Sequence, residues 1–533
     1  MLEVVKDGLV NAALLEDLGG QPDTPERGSI LRSLGVYTQR PAGDGFFMVR
    51  IRIPGGDLTS EQLEAIAQLS SDHGRGLADI TVRQNIQLHW VRASSLPAIV
   101  SRLQAAGLST IESGGGSVRN IVNCPVAGVD ENELFDTSSL VERVNEFFAH
   151  DTSFSGLPRK LKVTISGCSL RCTYPEIHDI GLFAERDRKR NLIGFRARIG
   201  GGLSVNPRFS RDLGITATPD QVVNLCSAIA TVFKDRADSA GHQDGRVKFQ
   251  VDDSELPAFL SEVERHLGYR LNRALDALPR PMLDRDRSHL GIHGQKTPGL
   301  YYIGISILAG RTSADGLAAL ASLARSHAAG RLRTTNTQNM VLLDVPESNL
   351  ESLTTELDRA GLEFDPSWSR KAIIACSGIQ FCKQAIAETK ARAADLSAYL
   401  ENELELGQPI RISLTGCPNC CGQHHVCDVG LEGSSVTLNG IKEESFQVLL
   451  GGGVGVRETF ARRLGIRIPA AELSESLKRL FTAYKALRSN GESFQAFCAR
   501  HSDDDLITFL NSWDAPSLTG VPPHPTNRIA CNS

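Results

Sequence analysis

The chain has 533 residues, enough for about three or four domains, and its 41% hydrophobic and 22% charged residues are ordinary for a folded globular protein. A formal net charge of −5 provides no basic footprint for nucleic acid, and no segment approaches the ~18 consecutive apolar residues of a membrane helix. The chain starts with mixed acidic and apolar residues, so we expect no signal peptide. Twelve cysteines are too sparse for a disulfide scaffold, and we expect a reducing, cytoplasmic location.

Six sequence segments recur in the same order, each pair separated by about 250 residues. The pairs are GVYTQR (35–40) with GIHGQK (291–296), FFMVRIRIPGG (46–56) with YYIGISILAGR (301–311), TVRQNIQL (81–88) with TNTQNMVL (335–342), KVTISGCSLRC (162–172) with RISLTGCPNCC (411–421), HDIGL (178–182) with CDVGL (427–431), and GGGL (200–203) with GGGV (451–454). A shared order over this length predicts a tandem duplication.

Small and large units alternate along the chain. Residues 35–110 and 291–362 each have the pattern strand, helix, strand, helix, and two such α+β half-domains can pair to bury the face that each leaves uncovered. The longer units have the Gly-rich turns of α/β domains, and the Pro- and Arg-rich segment 278–290 is typical of a linker. We predict an N-terminal segment (1–34), a half-domain (35–110), an α/β domain (111–280), the linker with a second half-domain (281–362), a second α/β domain (363–513) and an irregular tail (514–533).

Two cysteine pairs lie close together in the second half. Cys376 and Cys382 are spaced C-x5-C, and Cys417 and Cys421 are spaced C-x3-C. Four thiolates in two close pairs can hold an iron–sulfur cluster. Spacing alone leaves two alternatives open: buried core thiols, since free cysteine packs as a small hydrophobe, and a zinc site, although zinc pairs usually have the spacing C-x2-4-C.

The C-x5-C pair followed by TGCPNxC resembles the motif of the sirohaem-dependent nitrite and sulfite reductases, and the resemblance extends over nearly the whole chain. It implies a tandemly duplicated fold, in which two ferredoxin-like half-domains form one composite domain and two larger α/β domains surround sirohaem and a [4Fe–4S] cluster. It also implies that Cys376, Cys382, Cys417 and Cys421 ligate the cluster, and that the Cys421 thiolate bridges to the sirohaem iron. The family spacing selects Cys421 over its neighbour Cys420.

The first half has only part of this cysteine set. Cys168 and Cys172 reproduce the C-x3-C spacing and Cys124 matches Cys376, but Asp130 stands where Cys382 would be. Three thiolates with a carboxylate make a poor cluster site, and in the family only the second-half set carries one. We therefore interpret Cys168 and Cys172 as core or redox-silent residues rather than as a second metal site.

Cations in the first half indicate a small anionic substrate. Each one taken alone is better explained as a solvated surface residue. The resemblance implies that four of them contact the anion: Arg50, Arg119, Lys160 and Lys162. It also implies that Arg83, Gln87, His89 and Arg159 bind the sirohaem carboxylates, with Asn339 as a further candidate. We expect the second half to lack the four anion-binding charges, so that one half binds substrate and the other holds the metal.

The resemblance implies six-electron reduction of sulfite to sulfide or of nitrite to ammonia. The motif LPRK-x-K, which ends in Lys162, is that of assimilatory sulfite reductases, whereas plant-type nitrite reductases have asparagine at its last position. Sulfite also carries more charge than nitrite and gains more from a fourth cation. We therefore predict a sulfite reductase, with an assimilatory nitrite reductase as the alternative.

Electrons have to come from another protein, because the sequence contains no flavin or nicotinamide motif. The resemblance implies ferredoxin or a separate flavoprotein as the donor. Two further functions are a precorrin-oxidising enzyme of cobalamin synthesis, which the four cations argue against, and a non-catalytic iron–sulfur electron carrier, which needs no basic pocket.

Overall fold

The computed structural model describes residues 24–41, 43–187, 192–239, 245–274 and 288–513. The predicted tail at 514–533, the first 23 residues of the predicted N-terminal segment and most of the predicted linker at 278–290 lie outside the described residues. No helix in the described part of the chain is both long enough and apolar enough to cross a bilayer.

The elements fall into four groups along the chain. The first group contains α1 (Pro25–Ser33), β1 (Val36–Thr38), β2 (Phe46–Ile51), β3 (Asp57–Thr59), α2 (Ser60–His73), β4 (Leu77–Ile80), β5 (Ile86–Arg92) and α3 (Leu96–Ala105). The second contains α4 (Ser138–His150), β6 (Val163–Ser166), β7 (Ile180–Asp187), β8 (Leu192–Ile199), β9 (Arg211–Ala217), α5 (Val222–Ser239), α6 (Val247–Gln250), α7 (Leu256–Leu267) and β10 (Asn272–Arg273).

The third and fourth groups repeat this order. The third contains β11 (Gly291–Gly294), β12 (Leu300–Ile305), β13 (Arg311–Ser313), α8 (Ala314–His327), β14 (Arg331–Thr334), β15 (Met340–Pro346) and α9 (Leu350–Arg359). The fourth contains β16 (Ile373–Ala375), α10 (Gly378–Phe381), α11 (Lys390–Glu403), β17 (Ile412–Thr415), β18 (Val429–Leu438), β19 (Ile441–Leu450), β20 (Arg462–Pro469), α12 (Leu473–Leu487), α13 (Phe494–Arg500) and α14 (Asp503–Ser512).

The main helices of the two half-domains, α2 and α8, begin in the same way. The Thr59 hydroxyl accepts the N–H of Gln62 at 3.2 Å, and the Gln62 side chain accepts the N–H of Thr59 at 3.1 Å. At the equivalent place, the Ser313 hydroxyl accepts the N–H of Gly316 at 3.0 Å. Such caps satisfy N–H groups that the first helical turn leaves open, so each helix starts directly after a short strand.

The two half-domains exchange a strand. β3 pairs with β14 and β13 pairs with β4, so the sheet orders are β1-β2-β5-β4-β13 and β11-β12-β15-β14-β3. An ion pair of 2.9 Å fixes each exchanged strand, Asp57 with Arg333 and Arg311 with Asp79. Apolar side chains of both half-domains form one buried core. Each half-domain therefore depends on the other, as expected for a composite domain.

Each α/β domain has a five-stranded sheet, ordered β10-β9-β8-β7-β6 or β16-β17-β18-β19-β20, and its own apolar core. By the repeated segments, β6 to β9 correspond to β17 to β20. β6 is parallel to β7, and β16, β17 and β18 are mutually parallel, whereas the remaining pairs are antiparallel. The carboxyl ends of parallel neighbours lie at one edge of a sheet, so the loops that follow β16 and β17 lie side by side.

Candidate active site

The four second-half cysteines lie in loops at this edge of the second α/β sheet. Cys376 directly follows β16, and Cys417 follows β17 after Gly416. The Gly416 N–H donates to the Cys376 Sγ at 3.2 Å, which joins the two loops. Cys382 directly follows α10, and Cys421 lies in the turn after Cys417, where it is exposed. The sheet edge thus gathers both cysteine pairs.

The sulfurs of these cysteines act on one another electrostatically. Burial and then the Cys421 sulfur raise the pKa of the Cys376 thiol to about 12. Burial also raises the pKa of the Cys417 thiol, and Cys421 and Cys382 add to the rise. Crowded thiols lose their protons when a metal binds among them, so this arrangement is suited to a metal centre.

Residues of the half-domains hold the loop that carries Cys376. The Gln338 Oε1 accepts the Ala375 N–H at 2.9 Å, and its Nε2 donates to the Ala375 carbonyl at 3.0 Å. Phe381 stacks on His89, with ring centres 3.9 Å apart. Sequence analysis missed Gln338, although its place in the repeated motifs TVRQN and TNTQN was an available signal.

His89 lies inside the protein rather than in an open pocket. It is 1% exposed, its Nε2 lies 3.1 Å from the Asp79 Oδ2, and its Nδ1 lies 3.4 Å from the Gln39 Oε1. Lys390 and Arg311 also pair with Asp79 and compensate its charge. Burial therefore lowers the pKa of His89, although Asp79 opposes the shift. Both ring nitrogens thus have partners within the protein, and the predicted contact of His89 with sirohaem stays a prediction.

Arg50 and Arg119 meet at the carbonyl of Ser113. Arg50 Nη1 donates to this oxygen at 3.1 Å and Arg119 Nη1 at 2.9 Å. The Tyr37 hydroxyl accepts from Arg50 Nη1 at 3.2 Å. Burial acts to raise the pKa of Tyr37, but Arg50 and Arg119 outweigh it and the pKa is lowered. Two guanidinium groups held this close attract anions strongly.

Lys160 and Lys162 precede β6 and belong to the same basic region. Lys160 is accessible to solvent, yet partial loss of its hydration lowers its pKa. The Cys421 sulfur acts in the opposite direction and favours the charged lysine. Burial, followed by Lys160 and Arg83, holds the pKa of Lys162 well below its usual value. This electrostatic influence of Cys421 places Lys160 on the side of the basic region that is nearer to the cysteine loops.

Arg246 is a further cation of this region that sequence analysis missed. Its Nη2 lies 2.9 Å from Oδ1 and 3.0 Å from Oδ2 of the buried Asp179, which also accepts the N–H of Lys162 at 2.9 Å. Arg246 also acts electrostatically on Lys160 and Arg119. The basic segment GRVK (245–248) was the available signal. Arg246 and Asp179 together position the segment that carries Lys162.

Arg83 has open hydrogen-bond donors that fit an anionic cofactor. Its Nη2 donates to the carbonyls of Asn120 and Val163, the latter at 3.2 Å. Its Nε and Nη1 are buried and have no hydrogen-bond partner within the described ranges. Buried N–H groups are normally paired, so these two donors fit a carboxylate of sirohaem.

The other predicted sirohaem contacts differ in their surroundings. When the Gln87 amide is oriented so that its oxygen accepts from Arg50 Nε at 3.0 Å and Nη2 at 2.8 Å, its nitrogen donates to the Ser377 hydroxyl at 3.3 Å. Gln87 therefore joins the basic region to the residue after Cys376. Arg159 is exposed, and the Asn339 Oδ1 accepts a backbone N–H of its own half-domain at 2.9 Å.

The expectation that the second half lacks matching charges is wrong at two positions. The match of Cys124 with Cys376 places Lys371 opposite Arg119, and Lys371 pairs with Asp365 at 3.2 Å. Arg411 stands where the first half has Lys162. The N–H of Lys162 donates to Asp179 and the N–H of Arg411 donates to Asp428, both at 2.9 Å. The Arg411 side chain pairs with Asp428 at 3.7 Å. Its charge is therefore compensated inside the domain.

The three first-half cysteines are buried and converge on one another. The sulfurs of Cys124, Cys168 and Cys172 all lie within 4.8 Å of each other. Asp130, which aligns with Cys382, instead accepts the N–H of Asn132 at 2.9 Å in a turn. Burial agrees with the interpretation of these cysteines as core residues, but their convergence was not expected.

Two family models match the chain, each of them twice. The nitrite and sulphite reductase 4Fe-4S domain matches residues 114–271 and 369–499. The nitrite/sulfite reductase ferredoxin-like half domain matches residues 38–106 and 293–360. The two domain types alternate in the order expected from the repeat.

Individual relatives match nearly the whole chain. A ferredoxin–nitrite reductase of Leptolyngbya laminosa is 37% identical over 499 residues, covering 91% of this chain and 96% of that protein. A sulfite reductase (ferredoxin) of Mycolicibacterium paratuberculosis is 33% identical over 525 residues, covering 94% of this chain and 93% of that protein. The structure of the Mycobacterium tuberculosis NirA protein matches with a TM-score of 0.87 and 31% identity, covering 95% of this chain and 97% of that chain. These matches confirm the predicted fold class, the oxidoreductase class, and sirohaem with a [4Fe–4S] cluster as its cofactors.

Proposed function

The chain belongs to the nitrite and sulfite reductase family, and we propose that it is a ferredoxin-dependent sulfite reductase, which reduces sulfite to sulfide with six electrons. The observation that carries this choice is Lys162, at the position where plant-type nitrite reductases have asparagine. Lys162 adds a fourth basic side chain to Arg50, Arg119 and Lys160. When an anion is bound beside it, a protonated Lys162 would favour sulfite, because sulfite carries more charge than nitrite.

In this proposal Cys376, Cys382, Cys417 and Cys421 ligate the [4Fe–4S] cluster. Their loops share one sheet edge, and their sulfurs influence one another, which supports a common metal centre. Cys421 is the exposed member and lies near Lys160, at the boundary between the cysteine loops and the basic region. This position would suit the role that the resemblance implies for Cys421, which is to join the cluster to sirohaem.

Sirohaem binding is assigned to the basic region. Arg83 and Arg159 would bind its carboxylates, and the open Nε and Nη1 of Arg83 support this role. Gln87 would act by holding Arg50 in place. When bound, the sirohaem iron supplies the centre at which the anion is reduced, and the cluster supplies the electrons.

The side chains of the basic region bind the anion and deliver protons. Arg50 and Arg119 remain charged and anchor it through their N–H groups. Lys160 and Lys162 have lowered pKa values and are therefore the better proton donors. The overall reduction of sulfite to sulfide takes six electrons and releases three waters, each of which needs two protons, so lysines beside the anion would shorten the path of those protons.

Nitrite reduction to ammonia is the second candidate, and the 37% identity to the Leptolyngbya laminosa ferredoxin–nitrite reductase favours it. Ferredoxin is proposed as the donor because the names of both relatives include it, with a separate flavoprotein as the alternative. The cytoplasmic location stays a prediction.

Steady-state turnover of the sirohaem-loaded protein with reduced ferredoxin tests the proposal. The quantity to compare is kcat/KM for sulfite and for nitrite, because their ratio reports discrimination. A parallel assay with a reduced viologen dye separates failure of the donor from failure of the substrate. The proposal requires the higher kcat/KM for sulfite with both donors; a higher value for nitrite would assign the protein to nitrite reduction.

A further inference from the structure

The proposed reaction leaves unused a group of three buried cysteines in the first half. Cys168 and Cys172 lie in the turn after β6, and Cys124 lies in the segment that bridges to β6 through Val122. Cys124 and Cys168 are each 2% exposed and Cys172 is 1% exposed. Their sulfurs lie within 4.8 Å of one another, so three potential metal ligands face one enclosed point.

His289 lies beside this group: it is outside the set of ligand atoms that all lie within 4.8 Å of one another, but it contacts Cys172. Its Nε2 lies 3.2 Å from the Cys172 Sγ, and the residue is 5% exposed. On the other side of the ring, Nδ1 lies 3.5 Å from the Tyr302 hydroxyl. A partner at the second nitrogen orients a ligating histidine and selects its tautomer. Asn336 Nδ2 also donates to the Cys172 carbonyl at 2.7 Å and so fixes the turn.

The separation of the sulfurs distinguishes this group from the second-half cysteines. A tetrahedral Zn²⁺ with Zn–S bonds of about 2.3 Å keeps its thiolates about 3.8 Å apart. The first-half sulfurs are close enough for this, whereas the four second-half cysteines do not form so tight a group in the described part of the chain. Thiolates arranged around a cube of iron and sulfide have to stand farther apart than those around one ion.

We propose that Cys124, Cys168, Cys172 and His289 form a structural zinc site. Three thiolates and one imidazole are a ligand set that favours Zn²⁺. The thiol protons leave to solvent as the ion binds, and the metal undergoes no redox change. The ion links the turn after β6 to a residue 117 positions later, at the start of the second half-domain. The site thus joins the two repeats and takes no part in sulfite reduction.

The test is the metal content of the full-length holoenzyme, purified without a polyhistidine tag or a chelator. Zinc and iron per chain are measured by elemental analysis in the wild type, Cys168→Ser, His289→Gln and Cys226→Ser. Cys226 is a matched control because it is a fully buried thiol on α5, outside the group. Zinc K-edge absorption of the wild type identifies the ligands without any variant.

The expected result is about one zinc per chain in the wild type and Cys226→Ser, with three sulfur neighbours and one nitrogen neighbour. Zinc should fall at least about tenfold in Cys168→Ser and His289→Gln, while iron is unchanged. A wild type with little zinc, or full zinc in Cys168→Ser, overturns the site. Full zinc in His289→Gln overturns the imidazole ligand. If the variants fail to fold, a wild-type spectrum without three sulfur neighbours overturns the proposal by itself.

Discussion

Gln84 and Gln338 occupy equivalent positions in the two half-domains and make the same contact with the two α/β domains. Both have a left-handed backbone, with φ of 59° and 67°. The Gln84 Oε1 accepts the N–H of Asn123 and the Gln338 Oε1 accepts the N–H of Ala375, both at 2.9 Å. Each residue that donates this N–H, Asn123 or Ala375, directly precedes the first cysteine of its repeat. The composite domain therefore positions the first cysteine loop of both repeats.

Replacing either Gln84 or Gln338 with alanine is expected to lower the stability of the protein equally, but only one of the two changes should lower its iron content. Gln84→Ala and Gln338→Ala should each lower the free energy of unfolding by about 1–3 kcal/mol, because a buried N–H loses its partner. Only Gln338→Ala should lower cluster iron and acid-labile sulfide, since Ala375 precedes Cys376. Thermal midpoints and iron content measure both effects. Equal iron contents in the two variants would contradict the assigned cluster loop.

Cys421→Ser is expected to lose the cluster signals in electron paramagnetic resonance and to lower sulfite turnover at least about 100-fold, because serine oxygen is a poor ligand for iron. Cys420→Ser is the matched control. Cys420 is 5% exposed, and burial raises the pKa of its thiol to about 12. Normal spectra and turnover in Cys421→Ser, or the same losses in Cys420→Ser, would show that the spacing selects the wrong cysteine.

Arg119→Lys is expected to lower kcat/KM for sulfite about 10- to 100-fold, because one ammonium replaces a guanidinium and loses charged hydrogen bonds worth about 1.5–3 kcal/mol. The sirohaem content of each preparation has to be measured so that turnover can be expressed per cofactor. Arg143→Lys is the control, since Arg143 is half-exposed and pairs loosely with Asp220 at 3.8 Å. A change of less than about twofold in Arg119→Lys would remove Arg119 from the anion site.

Acidification is expected to destabilise the protein through His89. Burial keeps its pKa below the value of about 6.5 that it has in the unfolded chain, so the unfolded chain takes up a proton there first. The free energy of unfolding therefore falls as the pH drops below about 6.5, by at most about 1.4 kcal/mol per pH unit. His89→Gln should make the thermal midpoint less dependent on pH between about 7.5 and 5.5. Equal pH dependence in the two proteins would contradict a neutral, buried His89.

The sequence predicted the duplication and both cysteine pairs because these signals are local motifs whose order repeats. It did not predict the exchange of β3 and β13, because a short strand does not encode which half-domain it pairs with. It did not predict the contact between His89 and Asp79 for a similar reason: Asp79 on β4 pairs with Gln87 on β5, one diagonal step from His89, and pairing register is not local. His289 reaches Cys172 across 117 residues, and no motif joins the two.

The central claim, that Lys162 sets the preference for sulfite, is tested most directly by comparing the wild type with Lys162→Asn. The measurement is the ratio of kcat/KM for sulfite to kcat/KM for nitrite in both proteins, each loaded with sirohaem and supplied with the same reduced donor. We predict a ratio above one in the wild type and a fall of about tenfold or more in Lys162→Asn, because sulfite loses more from the missing cation. A ratio that Lys162→Asn leaves unchanged would contradict the claim.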